Sequence, residues 1–322
     1  MQSGPSSPGA IITIVSWEQT TTKLACPVDH LQLTRSPTGV RCSQDHFYQV
    51  GDAGYLEVAL PGSPALAVDT TTDDYADHQE TGGPRVYEAY LRPWLGKVGA
   101  KSVLDVGCGV GATISMMVTD GFDAVGLDVR GLARFWKESD RDPSRFVVGD
   151  GCALPFADGA FDAVVTLGVI EHIGTSTGHL TLAPTWKADR VRFAAELARV
   201  TRPGGRILIA CPNKWFPIDL QHGPTDQLTS APFRARIFQR FGFNVHPIWG
   251  AYHLASYRDL WRWYGRSRVH PLSLEGYFGF SALERPGIPK SFARAATYWV
   301  TNMPAWARSS PLNPYLLAEI VV

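Results

Sequence analysis

Apolar and polar positions change places in a regular order along the middle of the chain. Ser102–Val106, Asp123–Leu127, Arg145–Val148, Phe161–Leu167 and Arg206–Cys211 are short, mostly apolar runs of strand length, several rich in valine or isoleucine. Helical spacing fills the gaps, most clearly over Trp186–Val200, where apolar residues return every three or four positions. Strands alternating with helices predict a parallel sheet built from βαβ units, an α/β fold. The flanks read differently. Residues 23–60 hold two cysteine-containing turns and short β-like runs, His46–Val50 and Tyr55–Leu60. Pro61–Asp74 is rich in Pro, Gly, Thr and Asp, as a linker is. Residues 1–22 contain Ser-Gly-Pro-Ser-Ser-Pro-Gly and read as a flexible leader. Beyond the alternating region, a helical window over Tyr257–Arg266 sets Arg258, Arg262 and Arg266 on one stripe and Leu254, Tyr257, Trp261 and Tyr264 on another. It lies between an expected strand at Phe243–Trp249 and a last strand at Tyr315–Val321.

Composition narrows the class. Apolar residues make up 45% of the 322 and charged ones 19%, enough for a packed core and against global disorder. Thirty basic side chains balance thirty acidic ones, so no overall field holds nucleic acid. That neutrality hides an asymmetry. Residues 1–210 carry 18 Lys/Arg against 24 Asp/Glu, whereas residues 211–322 carry 12 against 6 and 20 of the 36 aromatic rings. No apolar run approaches the about 20 residues that span a bilayer. The N-terminal stretch has no Lys or Arg before Lys23, unlike the charged start of a signal peptide. Five scattered cysteines do not form a disulfide framework. The expectation is a soluble, reduced, cytoplasmic protein without a transmembrane segment.

Candidate chemistry begins at Val103-Leu-Asp-Val-Gly-Cys-Gly-Val-Gly111, an acid and three alternating glycines where a strand turns into a helix. Glycines there permit a tight turn and bring backbone N–H groups close to a ligand. Asp128 ends the next strand, where a carboxylate can accept both hydroxyls of a ribose. Gly149-Asp150-Gly151 follows the third strand, where an acid can accept from an adenine amino group. Phe161–His172 then adds a buried strand that ends over the same crevice.

With these residues the chain resembles the class I S-adenosylmethionine-dependent methyltransferases over roughly residues 75–215. The resemblance implies a doubly wound, Rossmann-like sheet of seven strands whose last strand runs antiparallel. It implies that Asp105, Gly107, Cys108 and Gly109 bind the methionine end, Asp128 and Val129 the ribose side, and Asp150, Gly151 and Cys152 the base, with Leu167 and Gly168 along the methionine moiety. The domain plan becomes a leader (1–22), a ribbon-like module (23–60), a linker or lid (61–83) and a methyltransferase domain (84–322) with acceptor-side insertions at about 212–232 and 250–312.

Methyl transfer from a sulfonium requires positioning of the acceptor and, for a hydroxyl, removal of a proton. Glu171-His172 follows the fourth strand, and His172 is one base candidate; helix-start packing is the alternative. In relatives of the ubiquinone-pathway type Glu and His at this corner can hold a divalent metal together with a further upstream acid, a place Gly168 takes here. Asp219 and His222, three apart in the loop after the fifth strand, form a second candidate, a carboxylate-oriented imidazole.

Cys26-Pro-Val-Asp-His30 and Cys42-Ser-Gln-Asp-His46 repeat one pattern sixteen residues apart. They resemble the zinc-ribbon module that precedes some methyltransferases, including those acting on a guanine of large-subunit ribosomal RNA. The Cys42/His46 half and Gly54-Tyr55-Leu56 match that module, while Asp29 stands where it has its second cysteine. The resemblance implies a structural zinc on Cys26, His30 (or Asp29), Cys42 and His46; the other reading is a ribbon that has lost its metal. Two functions follow. The first is methylation of a hydroxyl on a small acceptor (a sugar, glycolipid or secondary metabolite), with peripheral membrane contact if the acceptor is lipid-linked. The second is methylation of a ribosomal-RNA guanine, against which net neutrality and the missing cysteine both count.

Overall fold

The computed structural model describes residues 22–67, 73–176, 181–219, 221–222, 232–277 and 289–322. Of the expected leader only Thr22 falls among them, and residues 223–231 of the first insertion also lie outside.

The chain opens with a three-stranded antiparallel sheet, β1 (Thr34–Ser36), β2 (Gly39–Arg41) and β3 (Phe47–Gln49), followed by β4 (Leu56–Val58). Helix α1 (Asp73–Val86) passes through a π-turn at Tyr87–Leu91 into α2 (Arg92–Val98), which ends on Gly99 in the left-handed conformation. The alternating region follows: β5 (Ser102–Val106), α3 (Ala112–Thr119), β6 (Asp123–Asp128), α4 (Ala133–Glu138), β7 (Phe146–Gly149) and β8 (Phe161–Leu167). A short hairpin of β9 (Thr175–Ser176) and β10 (Thr181–Leu182) precedes α5 (Trp186–Val200) and β11 (Thr201–Pro212). Then come β12 (Ile218–Asp219), α6 (Pro232–Phe241), β13 (Asn244–Val245), α7 (Tyr257–Tyr264), β14 (Val269–Pro271), α8 (Lys290–Thr301) and β15 (Tyr315–Val321).

The main sheet has the order β14-β15-β11-β8-β5-β6-β7-β4. Its strands run parallel except β15, which pairs antiparallel with both β11 and β14. Alternate residues of each strand feed opposite faces. Leu104, Val125, Leu127 and Val164 pack with Phe193 and Leu197 of α5 and Tyr257 and Leu260 of α7. Val103, Ala124, Val148 and Val165 pack with Leu91 and Leu95, Ile114 and Met117, and Phe135 and Trp136. Helices on both faces make the sheet doubly wound, as expected.

Three expectations change. The sheet has eight strands rather than seven, because β4 of the N-terminal module pairs parallel with β7 and covers what would be its open edge. Phe243–Trp249 is not a strand of this sheet: Asn244 and Val245 pair with Asp219 and Ile218 in a separate ribbon, and Val269–Pro271 takes the sheet position. Each of those runs is too short for its apolar content to reveal its partner. Finally, the later part of the stretch expected to be a linker or lid (61–83) is helical, as the first residues of α1. Of the two expected stripes, Arg258, Arg262 and Arg266 are exposed and Leu254 and Tyr257 are buried, while Trp261 and Tyr264 are half-buried.

Candidate active site

The strand order reverses between β5 and β8, and the crevice at the carboxyl ends of these strands is the binding place of open α/β sheets. The glycine loop after β5 forms its floor. Gly107 has φ 83° and Gly109 φ 57°; a Cβ on Gly107 would collide with Val169 and one on Gly109 with the Gln79 side chain. Asp105 is buried beneath the loop and accepts from Thr113 Oγ1 at 3.1 Å. Burial pushes its carboxyl up to about 7, with the Asp128 charge adding to the effect. Asp128 accepts the Gly109 amide at 2.7 Å through Oδ2 and its neighbour Val129's amide at 2.7 Å through Oδ1. Val129 itself is exposed beside it. Asp150 accepts from the Ser63 hydroxyl at 2.7 Å and from the Cys152 amide at 2.8 Å. Gly151 packs against Phe193, and Leu167 and Gly168 close the β8 side. Cys108 differs from its neighbours: its thiol is buried against Gly126 under the loop, so only its backbone can line the crevice.

Two supports of this cradle carried no sequence signal. Gln79 of α1 accepts the Val110 amide at 2.9 Å, so α1 covers the glycine loop. Trp136, fully buried, donates its indole N–H to the Gly109 carbonyl at 2.6 Å and packs against Tyr55 and Phe146. The cradle fits an adenosyl amino acid: backbone too close for any side chain at two glycines, and three carboxylates spaced along the strand ends.

Across the crevice lies a cluster of acids and imidazoles. Asp219, at 0% exposure, accepts the amides of Gln221 and His222 at 2.9 and 3.1 Å through Oδ1 and meets His222 Nδ1 at 2.8 Å through Oδ2. Burial alone would raise Asp219, but these bonds and the His222 charge hold it below the usual carboxylate range. Burial likewise opposes charge on His222, and the Asp219 bond outweighs it to raise that imidazole. The His172 ring lies 5.3 Å from that of His222, and the His253 ring 4.8 Å away on another side. His253 is fully buried, 4.0 Å from Asp219, and burial with the neighbouring His222 pushes it down to about 3. Glu171 is 1% exposed, and burial pushes it up to about 7. Glu171 Oε2 and both ring nitrogens of His253 have no hydrogen-bond partner.

The two base candidates of the sequence, His172 and the Asp219–His222 pair, are therefore one cluster. His253 joins it without any local motif, because only the fold brings Ala251–Ala255 back under the β8 loop. Arg190 of α5 fixes that approach: its buried guanidinium donates to the carbonyls of Ile173 (3.1 Å), Glu171 (3.3 Å) and His253.

In the N-terminal module Cys26, Asp29, Cys42 and His46 converge. His46 Nδ1 lies 3.4 Å from each sulfur and 3.1 Å from Asp29 Oδ2, which is 3.4 Å from Cys42 Sγ. These spacings are the edges of a small tetrahedron and fit a four-coordinate zinc, whose bonds of about 2.0–2.3 Å span such edges. His30 is exposed with φ 58° and lies outside the group, so Asp29 is the fourth member. Tyr48 Oη, 3.1 Å from Cys26 Sγ, backs it.

Residues 104–209 match the family described as Methyltransferase domain. A demethylmenaquinone methyltransferase of Beutenbergia cavernae is 33% identical over 145 residues, 44% of this chain and 54% of the relative. A 2-methyl-6-phytyl-1,4-hydroquinone methyltransferase of Synechocystis sp. is 26% identical over 209 residues, 64% of this chain and 52% of the relative. The chain thus spans about half the length of these curated relatives. Among solved structures, a sugar N-methyltransferase of Streptoalloteichus sp. aligns at 25% identity and a TM-score of 0.35, covering 46% of this chain and 57% of that one. Over residues 104–209, which hold the glycine loop, Asp128 and Asp150, the chain is thus similar to a methyltransferase domain.

Proposed function

We propose that this protein transfers a methyl group from S-adenosylmethionine to a hydroxyl of a small-molecule acceptor. When bound, the cofactor supplies a methyl group activated on a sulfonium for in-line displacement. Asp105 and the amides of the glycine loop would hold its amino-acid end, Asp128 the ribose hydroxyls, and Asp150 with Cys152 the base. The observation that carries the acceptor assignment is the Asp219–His222 pair at 2.8 Å, packed among Glu171, His172 and His253 on the far wall of the crevice. Asp219 fixes the ring so that one nitrogen is bound and the other offers its lone pair on the acceptor side. A hydroxyl gives up its proton at such a cluster as its oxygen attacks. The relatives' names give demethylmenaquinone and 2-methyl-6-phytyl-1,4-hydroquinone, compounds with an aromatic or quinone ring, in keeping with the aromatic C-terminal third. The test is turnover of labelled cofactor with hydroxylated quinols and glycosides against ribosomal RNA. Label in the small molecules supports the reading, and label in RNA alone refutes it.

We further infer that Cys26, Asp29, Cys42 and His46 hold a structural zinc ion, on the strength of their 3.1–3.4 Å spacings. It would tie β1–β3 to the strand Leu56–Val58 that closes the sheet edge. Metal analysis of purified protein checks this directly: one equivalent of zinc agrees, and less than about a tenth of an equivalent ends the idea.

A further inference from the structure

The stretch between β12 and β13 carries a helix that the proposed chemistry leaves unused. Helix α6 (Pro232–Phe241) reads Pro-Phe-Arg-Ala-Arg-Ile-Phe-Gln-Arg-Phe, and none of its ten residues is buried. Phe233, Ile237 and Phe241 recur every four positions and share one face, while Arg236 and Arg240 stand exposed on a neighbouring stripe. Phe233 is 57% exposed, and Trp249, beyond the helix, is 82% exposed. Most helices are stabilised by packing an apolar face against the protein. α6 leaves its own open.

The charge here is one-sided. Pro232–Arg258 holds four arginines and no Asp or Glu. Arg236 and Arg240, one helical turn apart, repel each other, and nothing acidic in their own segment answers them. The surface therefore complements an anionic partner that also takes up apolar rings. A second copy of this chain does not fit, because a two-fold contact centred on α6 sets arginines against arginines. An anionic bilayer fits both halves: phosphates meet the guanidinium groups, and the boundary between headgroups and acyl chains takes Phe and Trp. At ten residues, about 15 Å, α6 is too short to span hydrocarbon and can only lie along it.

We propose that α6 and Trp249 form a docking surface for an anionic lipid bilayer. The surface adjoins the acceptor wall. α6 runs through Gly242 into β13, whose Asn244 pairs in register with Asp219 of β12. Asn244 also donates to Tyr252 Oη at 3.0 Å, and the Tyr252 ring lies 4.4 Å from that of His253. Docking there brings the acid and imidazole cluster to the membrane surface and narrows the acceptor to a hydroxyl borne on a lipid. That last step rests on the methyltransferase reading of the crevice, whereas the docking itself does not.

The test sediments full-length protein with mixed phosphatidylglycerol/phosphatidylcholine vesicles and with phosphatidylcholine vesicles alone. The anionic vesicles should bind at least about tenfold more tightly, and raising salt from about 0.1 to about 0.5 M should release the protein as charges are screened. Arg234→Gln, Arg236→Gln and Arg240→Gln together should weaken binding about a hundredfold, since each charge near an anionic surface contributes about a factor of five. Brominated acyl chains should quench a part of the tryptophan emission that Trp249→Phe lacks. Equal binding to neutral vesicles, binding to neither, or anionic binding unchanged in the triple variant overturns the surface. So does a dimer or an RNA complex that the triple variant abolishes in a protein that ignores vesicles. If the triple variant fails to fold, the vesicle comparison and the quenching in the wild type decide. Calorimetry with S-adenosylhomocysteine on the same samples separates the two readings. Its binding without vesicle binding removes only the docking surface, whereas vesicle binding without it removes the methyltransferase reading and leaves the docking in place.

Discussion

Asp105 lies under the glycine loop with its carboxyl pushed up to about 7 by burial. Near neutrality, before ligand binds, a large share of it is therefore protonated. The amino-acid end of S-adenosylhomocysteine carries an ammonium, which favours the ionised carboxylate. Binding must then release the proton that Asp105 holds. If only the ionised form binds, apparent affinity scales with the ionised fraction, about one tenth near pH 6 and about nine tenths near pH 8. Affinity should therefore rise roughly tenfold across that interval, with nearly a full proton released at the acidic end and about a tenth of one at the other. The sign is fixed by the shift: a raised carboxyl must lose its proton to bind, so the gain comes with rising pH. Calorimetry in buffers of different ionisation heat measures affinity and proton release together. Asp105→Asn should flatten the profile and lower affinity at the alkaline end. A flat wild-type profile, or proton uptake instead of release, refutes the reasoning.

Asp128→Asn keeps the shape but removes charge-assisted acceptance of two hydroxyls, so S-adenosylhomocysteine should bind about thirtyfold more weakly or worse by calorimetry. A change under threefold would place the ribose elsewhere. Replacing His222 by Ala should cut kcat by about 10²–10⁴ with KM nearly unchanged, and Asp219→Asn should cut it less because the imidazole remains. Equal rates for both variants and wild type in steady-state assays would remove the cluster from catalysis. Cys42→Ser should release the zinc and lower Tm by about 5 °C, the loss expected when a ligand present at roughly a hundredfold over its Kd is removed. Scanning calorimetry with parallel metal analysis reports both quantities, and zinc retained at full stability contradicts the quartet.

What the sequence made legible follows from how local each signal is. β15 begins and ends at the expected residues because it is a nearly continuous apolar run, and α5 spans the expected Trp186–Val200 because its apolar positions recur at helical spacing. The glycine loop and Asp128 were readable because strand, turn and acid are adjacent in the chain. β14 has three residues, one of them proline, and its place beside β15 is decided by backbone pairing alone. The same holds for β4, whose partner β7 lies about ninety positions later. His253 stands in Ala-Tyr-His-Leu, with no spacing to any other polar residue that a periodicity could register; Arg190, 63 positions before it, holds its carbonyl together with that of Glu171. Asp29 rather than His30 completes the cysteine quartet because His30 adopts a left-handed backbone that turns it out to solvent, a choice no pattern of residue types encodes.

The most direct measurement is a crystal structure of the full chain grown with S-adenosylhomocysteine. The ribose hydroxyls should meet Asp128, the adenine should lie by Asp150 and Cys152, and the thioether sulfur should face the wall of Glu171, His172 and His222. A nucleoside bound elsewhere, or a crevice that stays empty at saturating ligand, would contradict the account.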